Sequence, residues 1–125
     1  MLPPYAQTLG IAVAEGDDPI LLTMPFEQTL TGRPGGLHGG AIGGLLEMAA
    51  IVAVRQALAE DGGGQIKPIN VTVDYMRGGR DKPTFARGVV TRLGGRVANV
   101  EATAWQDDPA KPIAAARMNY LIARG

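Results

Sequence analysis

The stretch GAIGGLLEMAAIVAVRQALAE, residues 40 to 60, decides how the rest of the chain is read. It is rich in Ala, Leu and Met and lacks proline, and the run Asp61-Gly62-Gly63-Gly64 follows it as a stop, so it predicts a helix from Gly40 to Glu60. Its first four turns are apolar nearly all round. Such a helix is buried inside a fold rather than lying half-wet on its surface. A membrane span is the rival reading, and it fails because the uncharged run falls short of about 20 residues and is broken by Glu47 and several glycines.

Downstream of this helix the pattern changes to period two. Ile69, Val71, Val73 and Tyr75 share one face of an expected strand, with Asn70, Thr72 and Asp74 on the other. Phe85 to Leu93, Val97 to Trp105 and Ile113 to Ile122 read as three more strands, separated by the Gly94-Gly95 turn and by QDDPAKP. Upstream, Leu9 to Ala14 and Ile20 to Phe26 flank EGDDP, a hairpin signal, and TGRPGGLHGG is too rich in Gly and Pro for regular structure. An antiparallel sheet of this kind needs one face covered, and a single helix is on offer to cover it. Glycines at 39, 40, 43 and 44 fall in i, i+4 pairs that let its backbone approach another surface closely. The expectation is an α+β chain, one domain over residues 1–125, ordered β-β-α-β-β-β-β. A curved sheet of about six strands wrapped around one long central helix resembles the hotdog fold.

Composition excludes several chemistries. With 12 basic and 12 acidic residues the net charge is zero, which provides no field to hold a polyanion, so nucleic acid is not an expected partner. There is no cysteine, no serine and one histidine. A Ser-His-Asp triad, a Cys-His pair and a multi-histidine zinc site therefore cannot be built in one chain. No P-loop and no GxGxxG after a strand is present, and neither metal nor cofactor is expected. The first ten residues have neither a basic stretch nor an apolar one of the secretory kind, and with no cysteine the expectation is a cytoplasmic protein without a membrane partner.

Two positions stand out as chemistry. Glu47 sits within LLEMAAI with apolar neighbours on both sides, and a carboxylate kept in such a place needs a partner or a task. It could equally lie on a wet edge of the helix or pair with Arg55. His38 directly precedes the helix, where N–H groups without intrahelical acceptors attract negative charge. The Gly39 or Gly40 N–H could polarise a carbonyl that becomes an oxyanion, with His38 serving as a cap.

Taken together, HGGAIGGLLEMAA, with its acid nine positions after His38, resembles the active-site helix of hotdog acyl-CoA thioesterases. It resembles in particular the phenylacetate-degradation (PaaI-like) and 4-hydroxybenzoyl-CoA thioesterase groups. VTVDYMRGG and RLGGR also look like stretches of that family, and the likeness covers almost the whole chain. It implies hydrolysis of an acyl-CoA, with Glu47 as general base or nucleophile, the Gly39 N–H polarising the thioester carbonyl and His38 shaping the loop. Arg92 and Arg96, flanking the turn at Gly95, would meet the phosphates of coenzyme A. Gly40 and Tyr75 would contact substrate, and the acyl chain would lie along Leu45 to Val54 and Val71, Val73 and Tyr75. In the family the donor and the acid of one site come from different subunits, which implies a homodimer as the smallest active unit and a homotetramer as the common assembly.

The chain departs from the family pattern in three respects, one of them that the acid, Glu47, is Glu rather than the PaaI-like Asp, as in the other thioesterase group. Gly32 stands where many PaaI-like members have Asn, and Ile51 and Pro68 stand where an assisting hydroxyl is usual. These departures keep a second reading open, that of a non-catalytic module that binds acyl-CoA or an acyl ligand.

Overall fold

The computed structural model describes residues 2–14 and 20–124. In chain order the elements are α1 (Tyr5–Leu9), β1 (Ala12–Ala14), β2 (Leu21–Met24), a 3-10 turn (Gln28–Leu30), α2 (Gly39–Glu60), β3 (Gln65–Tyr75), β4 (Thr84–Leu93), β5 (Val97–Trp105) and β6 (Ala114–Ala123). The strands form one antiparallel sheet in the order β1-β2-β4-β5-β6-β3. α2 lies across its concave face, mainly on β4 and β5. This is the hotdog arrangement expected from residues 40 to 60.

Alternation explains both faces of the sheet. On β5, Ala98, Val100, Ala102 and Ala104 are buried with Asn99, Glu101 and Thr103 between them, and on β6 Ala114, Ala116, Met118, Tyr120 and Ile122 are buried with Ala115, Arg117, Asn119 and Leu121 on the other face. The many alanines on this face leave room for the helix backbone. From α2, Leu45, Leu46, Val52, Val54 and Leu58 fill the space at 0–1% exposure, each contributing about 2 kcal/mol by leaving water. By length and composition α2 could cross a bilayer, but 67% of its most apolar window is buried inside the fold. The helix stops where Gly62 and Gly63 turn left-handed, at φ 92° and 83°.

The structure corrects the sequence expectations at the N-terminal side. The first strand does not begin at Leu9, because Tyr5–Leu9 close into a helical turn that Gly10 ends in the left-handed region. That turn packs on α2, where a Cβ at Gly44 would come within 2.7 Å of Leu9 Cδ1. β1 and β2 pair as the expected hairpin, while the EGDDP turn between them lies outside the described residues. β3 starts four residues earlier than the alternation suggested and carries Pro68 within it. An edge strand tolerates proline, and the pairing with β6 is irregular between Pro68 and Asn70.

Candidate active site

The loop before α2 is a tight hairpin. Gly32 N–H donates to Gly36 O at 3.0 Å, and Gly36 N–H donates to Arg33 O at 2.9 Å. Its return arm is tied on both sides, with Leu37 N–H donating to Gly79 O at 2.9 Å and His38 N–H to Leu30 O at 2.7 Å. A Cβ at Gly32 would stand 3.1 Å from His38 Cα. The glycine found where family members carry Asn is thus packed directly against the histidine backbone, which leaves no room for a longer side chain without a shift.

This loop delivers His38 to the N-cap of α2, where its Nδ1 accepts the Gly40 N–H at 2.8 Å. Gly39, the first residue of the helix, has no intrahelical acceptor for its own N–H. Among the described residues no other group accepts it. Gly40 therefore has its N–H engaged, and Gly39 offers the donor that remains. Tyr75, at the end of β3, lies over this first turn and its hydroxyl donates to Gly39 O at 2.9 Å. A cavity of about 400 Å³ opens beside Gly39, lined by Leu37, Ile42, Tyr75, Met76, Arg77 and the glycines at 78 and 79. The lining expected from Leu45 to Val54 is different: Leu45, Leu46, Val52 and Val54 face the sheet as core.

Glu47 is half-buried two turns further on. Eight residues of helix separate it from Gly39, about 12 Å along the axis. The Gly39 N–H also points out of the helix start, away from Glu47. Within one chain the two do not converge on one atom. Near Glu47 lies the Tyr120 phenol, which donates to Met118 Sδ at 3.3 Å. Burial holds that phenol well above its ordinary range, the Glu47 charge adds to the shift and Arg55 opposes it. Tyr120 is the ladder partner of Pro68.

Arg92, Gly95 and Arg96 are gathered elsewhere. Arg124 donates to the carbonyls of Gly94 and Gly95 and pairs with Asp61, the residue that caps the far end of α2. The β4–β5 tip thus sits a helix length, about 33 Å, from Gly39 in the same chain. A cation that sequence reading passed over lies closer. Arg77 lines the cavity at Gly39, with its Nε donating to Pro112 O at 3.3 Å. The neighbouring Arg80 and Lys82 both pair with Asp107, whose carboxyl is held below its ordinary value first of all by the hydrogen bond from Lys82. The signal for Arg77 was its place two residues after Tyr75 in VTVDYMRGG, which a strand-and-turn reading treats as solvated.

Comparison with known proteins gives the family and the fold. Residues 34–113 match the Thioesterase superfamily. A protein of Halobacterium salinarum, named for an inferred esterase activity, is 31% identical over 97 residues, 74% of this chain and 64% of that protein. The chain thus spans less than two thirds of that curated relative. A Chromobacterium violaceum crystal structure is 36% identical with a TM-score of 0.75, covering 96% of this chain and 83% of that one. A Bacillus halodurans structure determined with CoA shares the fold at a TM-score of 0.80 and 17% identity, covering 98% and 80% of the two chains. With the matched stretch running from the loop before His38 through β5, the chain belongs to the thioesterase superfamily.

Proposed function

We propose that the chain hydrolyses the thioester of an acyl-CoA to the free acid and coenzyme A. The observation that carries this reading is the unengaged N–H of Gly39, a residue at the start of α2 that lines a cavity of about 400 Å³. A carbonyl oxygen placed there gains negative charge as water adds, and a fixed donor stabilises the charged state more than the neutral one. Glu47 takes the proton from the attacking water as general base, and the tetrahedral adduct expels the thiolate. Direct attack by Glu47 to give a transient anhydride uses the same geometry. The Tyr120 hydroxyl, opposite Pro68 and within the field of Glu47, is buried and donates to Met118 Sδ, so it shapes the surroundings of the acid rather than taking the place of an assisting hydroxyl at Ile51 or Pro68.

The 12 Å between donor and base favours a site shared by two copies. β3 supports a homodimer, because it is an edge strand of 11 residues in which Ile69, Val71 and Tyr75 are each more than half exposed, as is Met76 just after it. An uncovered edge of that length and apolarity pairs readily with another chain. In this proposal Arg77 meets a phosphate of a carrier bound at Gly39, and Arg92, Gly95 and Arg96 contribute only from another copy. The absence of cysteine goes with a cytoplasmic location.

The test is thiol release from aryl and aliphatic acyl-CoAs by wild type and by Glu47→Gln. Turnover of at least one substrate, lowered by a factor of 100 or so in the variant, supports the reading. Binding of acyl-CoA without turnover by wild type would replace it with the binding-module reading.

A further inference from the structure

Two hydrogen bonds close on opposite ends of one peptide group. The Gly39 carbonyl accepts from the Tyr75 hydroxyl at 2.9 Å, and the Gly40 N–H of the same planar unit donates to His38 Nδ1 at 2.8 Å. A plane held at both ends cannot swing about Gly39 ψ and Gly40 φ without losing a bond. The residues on either side are those for which such a swing would otherwise be easiest, because glycine has the widest backbone freedom. The Gly39 N–H belongs to the preceding plane, joined to the held one through Gly39 Cα. The carbonyl of that plane, His38 O, accepts from the Ala41 and Ile42 N–H groups at 3.0 and 3.3 Å, so the N–H keeps its direction as long as the first turn stays wound, and losing either clamp bond lets that turn fray.

The surrounding glycines fit this arrangement. A Cβ at Gly40 would come within 2.9 Å of His38 Nδ1, and one at Gly43 within 3.3 Å of the Tyr75 hydroxyl. Side chains at those positions would unseat the imidazole or lift the phenol. Gly43, one turn into α2, carries a helix-propensity penalty and leaves the hydroxyl its place. At Gly39 the nearest Tyr75 ring atoms would be 3.6 Å from a Cβ, ordinary contact, so that glycine is not required for the same reason.

Resting on the proposed thioesterase reading, we infer that Tyr75 and His38 are positioning residues that clamp the Gly39–Gly40 peptide and so aim the Gly39 N–H at the developing oxyanion. Tyr75 acts through its hydroxyl rather than as a wall of the acyl pocket. His38 acts as an acceptor and transfers no proton to or from substrate.

The experiment is steady-state kinetics of thiol release for wild type, Glu47→Gln, Tyr75→Phe, His38→Ala, His38→Asn and the double variant Tyr75→Phe/His38→Ala, with circular dichroism to verify folding. A donor that matters mainly in the transition state alters kcat, so Tyr75→Phe and His38→Ala each lower kcat about tenfold with KM within about twofold. His38→Asn restores most of the His38→Ala loss, because a short amide oxygen also accepts at an N-cap. The double variant loses less than the product of the single losses, since both bonds hold one plane. Unchanged kcat in Tyr75→Phe, or a rise in KM alone, overturns the clamp while an active wild type and an inactive Glu47→Gln keep the thioesterase reading. His38→Asn as impaired as His38→Ala assigns the imidazole its own chemistry and overturns the clamp as well. Should His38→Ala fail to fold, Tyr75→Phe alone decides, as it removes one oxygen from a half-exposed ring. A wild type that turns over no acyl-CoA overturns the thioesterase reading, and the clamp with it.

Discussion

Gly88 of β4 lies directly beneath the carbonyl of Ala49 in α2: a Cβ added there would stand 2.4 Å from Ala49 O and 3.1 Å from the Ala53 Cβ. The two nearest atoms, Ala49 O and C, are helix backbone, which cannot rotate aside as a side chain can. Gly88→Ala therefore forces the helix off the sheet. The expected cost is about 3 kcal/mol of stability, read as a fall of roughly 10 °C in the thermal midpoint. A midpoint within a degree or two of wild type would show that α2 does not rest on β4 as described.

Alkaline stability tests the surroundings of Tyr120. Burial, and then the charge of Glu47, raise its folded pKa above the ordinary value of 10.0. Below pH 10 both states hold the proton and the contribution to stability is complete. Above it the unfolded chain loses a proton that the folded one keeps, so stability falls as pH rises, by at most about 1.4 kcal/mol per pH unit for one group. Urea midpoints between pH 9 and 11.5 should decline more steeply for wild type than for Tyr120→Phe. Parallel declines would place the phenol in water.

Gly39→Pro isolates the donor. Proline is favoured at the first position of a helix, and His38, at φ -65° and ψ 135°, already has the extended backbone that a following proline requires. The substitution deletes one N–H and leaves the helix start in place. Thiol release should fall by a factor of 100 to 1,000 or so. Gly39→Ala, which keeps the N–H and gains only ordinary contact with Tyr75, should stay within about tenfold of wild type. Equal losses in the two variants would point to crowding rather than to the donor.

Much of this was legible in the sequence because it depends on periodicity. The helix over residues 40 to 60 and the β4, β5 and β6 strands came within one residue of their observed ends, since each carries an unbroken pattern bounded by Gly or Pro. Tyr5–Leu9 was missed because a single turn with two prolines before it carries no periodicity; it is held by packing of Leu9 on Gly44. The first residues of β3 were missed because Pro68 reads as a break, and only its place at the sheet edge makes it acceptable. At the site, the motif pointed to His38, Gly39 and Glu47, but no local pattern could say that Gly40 spends its N–H on His38 or that Arg92 and Arg96 lie at the far end of α2. Those are consequences of pairings between residues distant in sequence. Tyr120 and Pro68, 52 positions apart and paired across β3 and β6, are of the same kind.

The central claim is that Gly39 and Glu47 act on one thioester, with each supplied by a different copy of the chain. The most direct measurement is thiol release from a refolded equal mixture of Gly39→Pro and Glu47→Gln chains, each inactive alone. In a symmetric dimer with shared sites, half of the pairs are mixed and one of their two sites is intact, so the mixture should recover roughly a quarter of wild-type activity. A mixture no more active than the two variants measured separately would contradict the shared site.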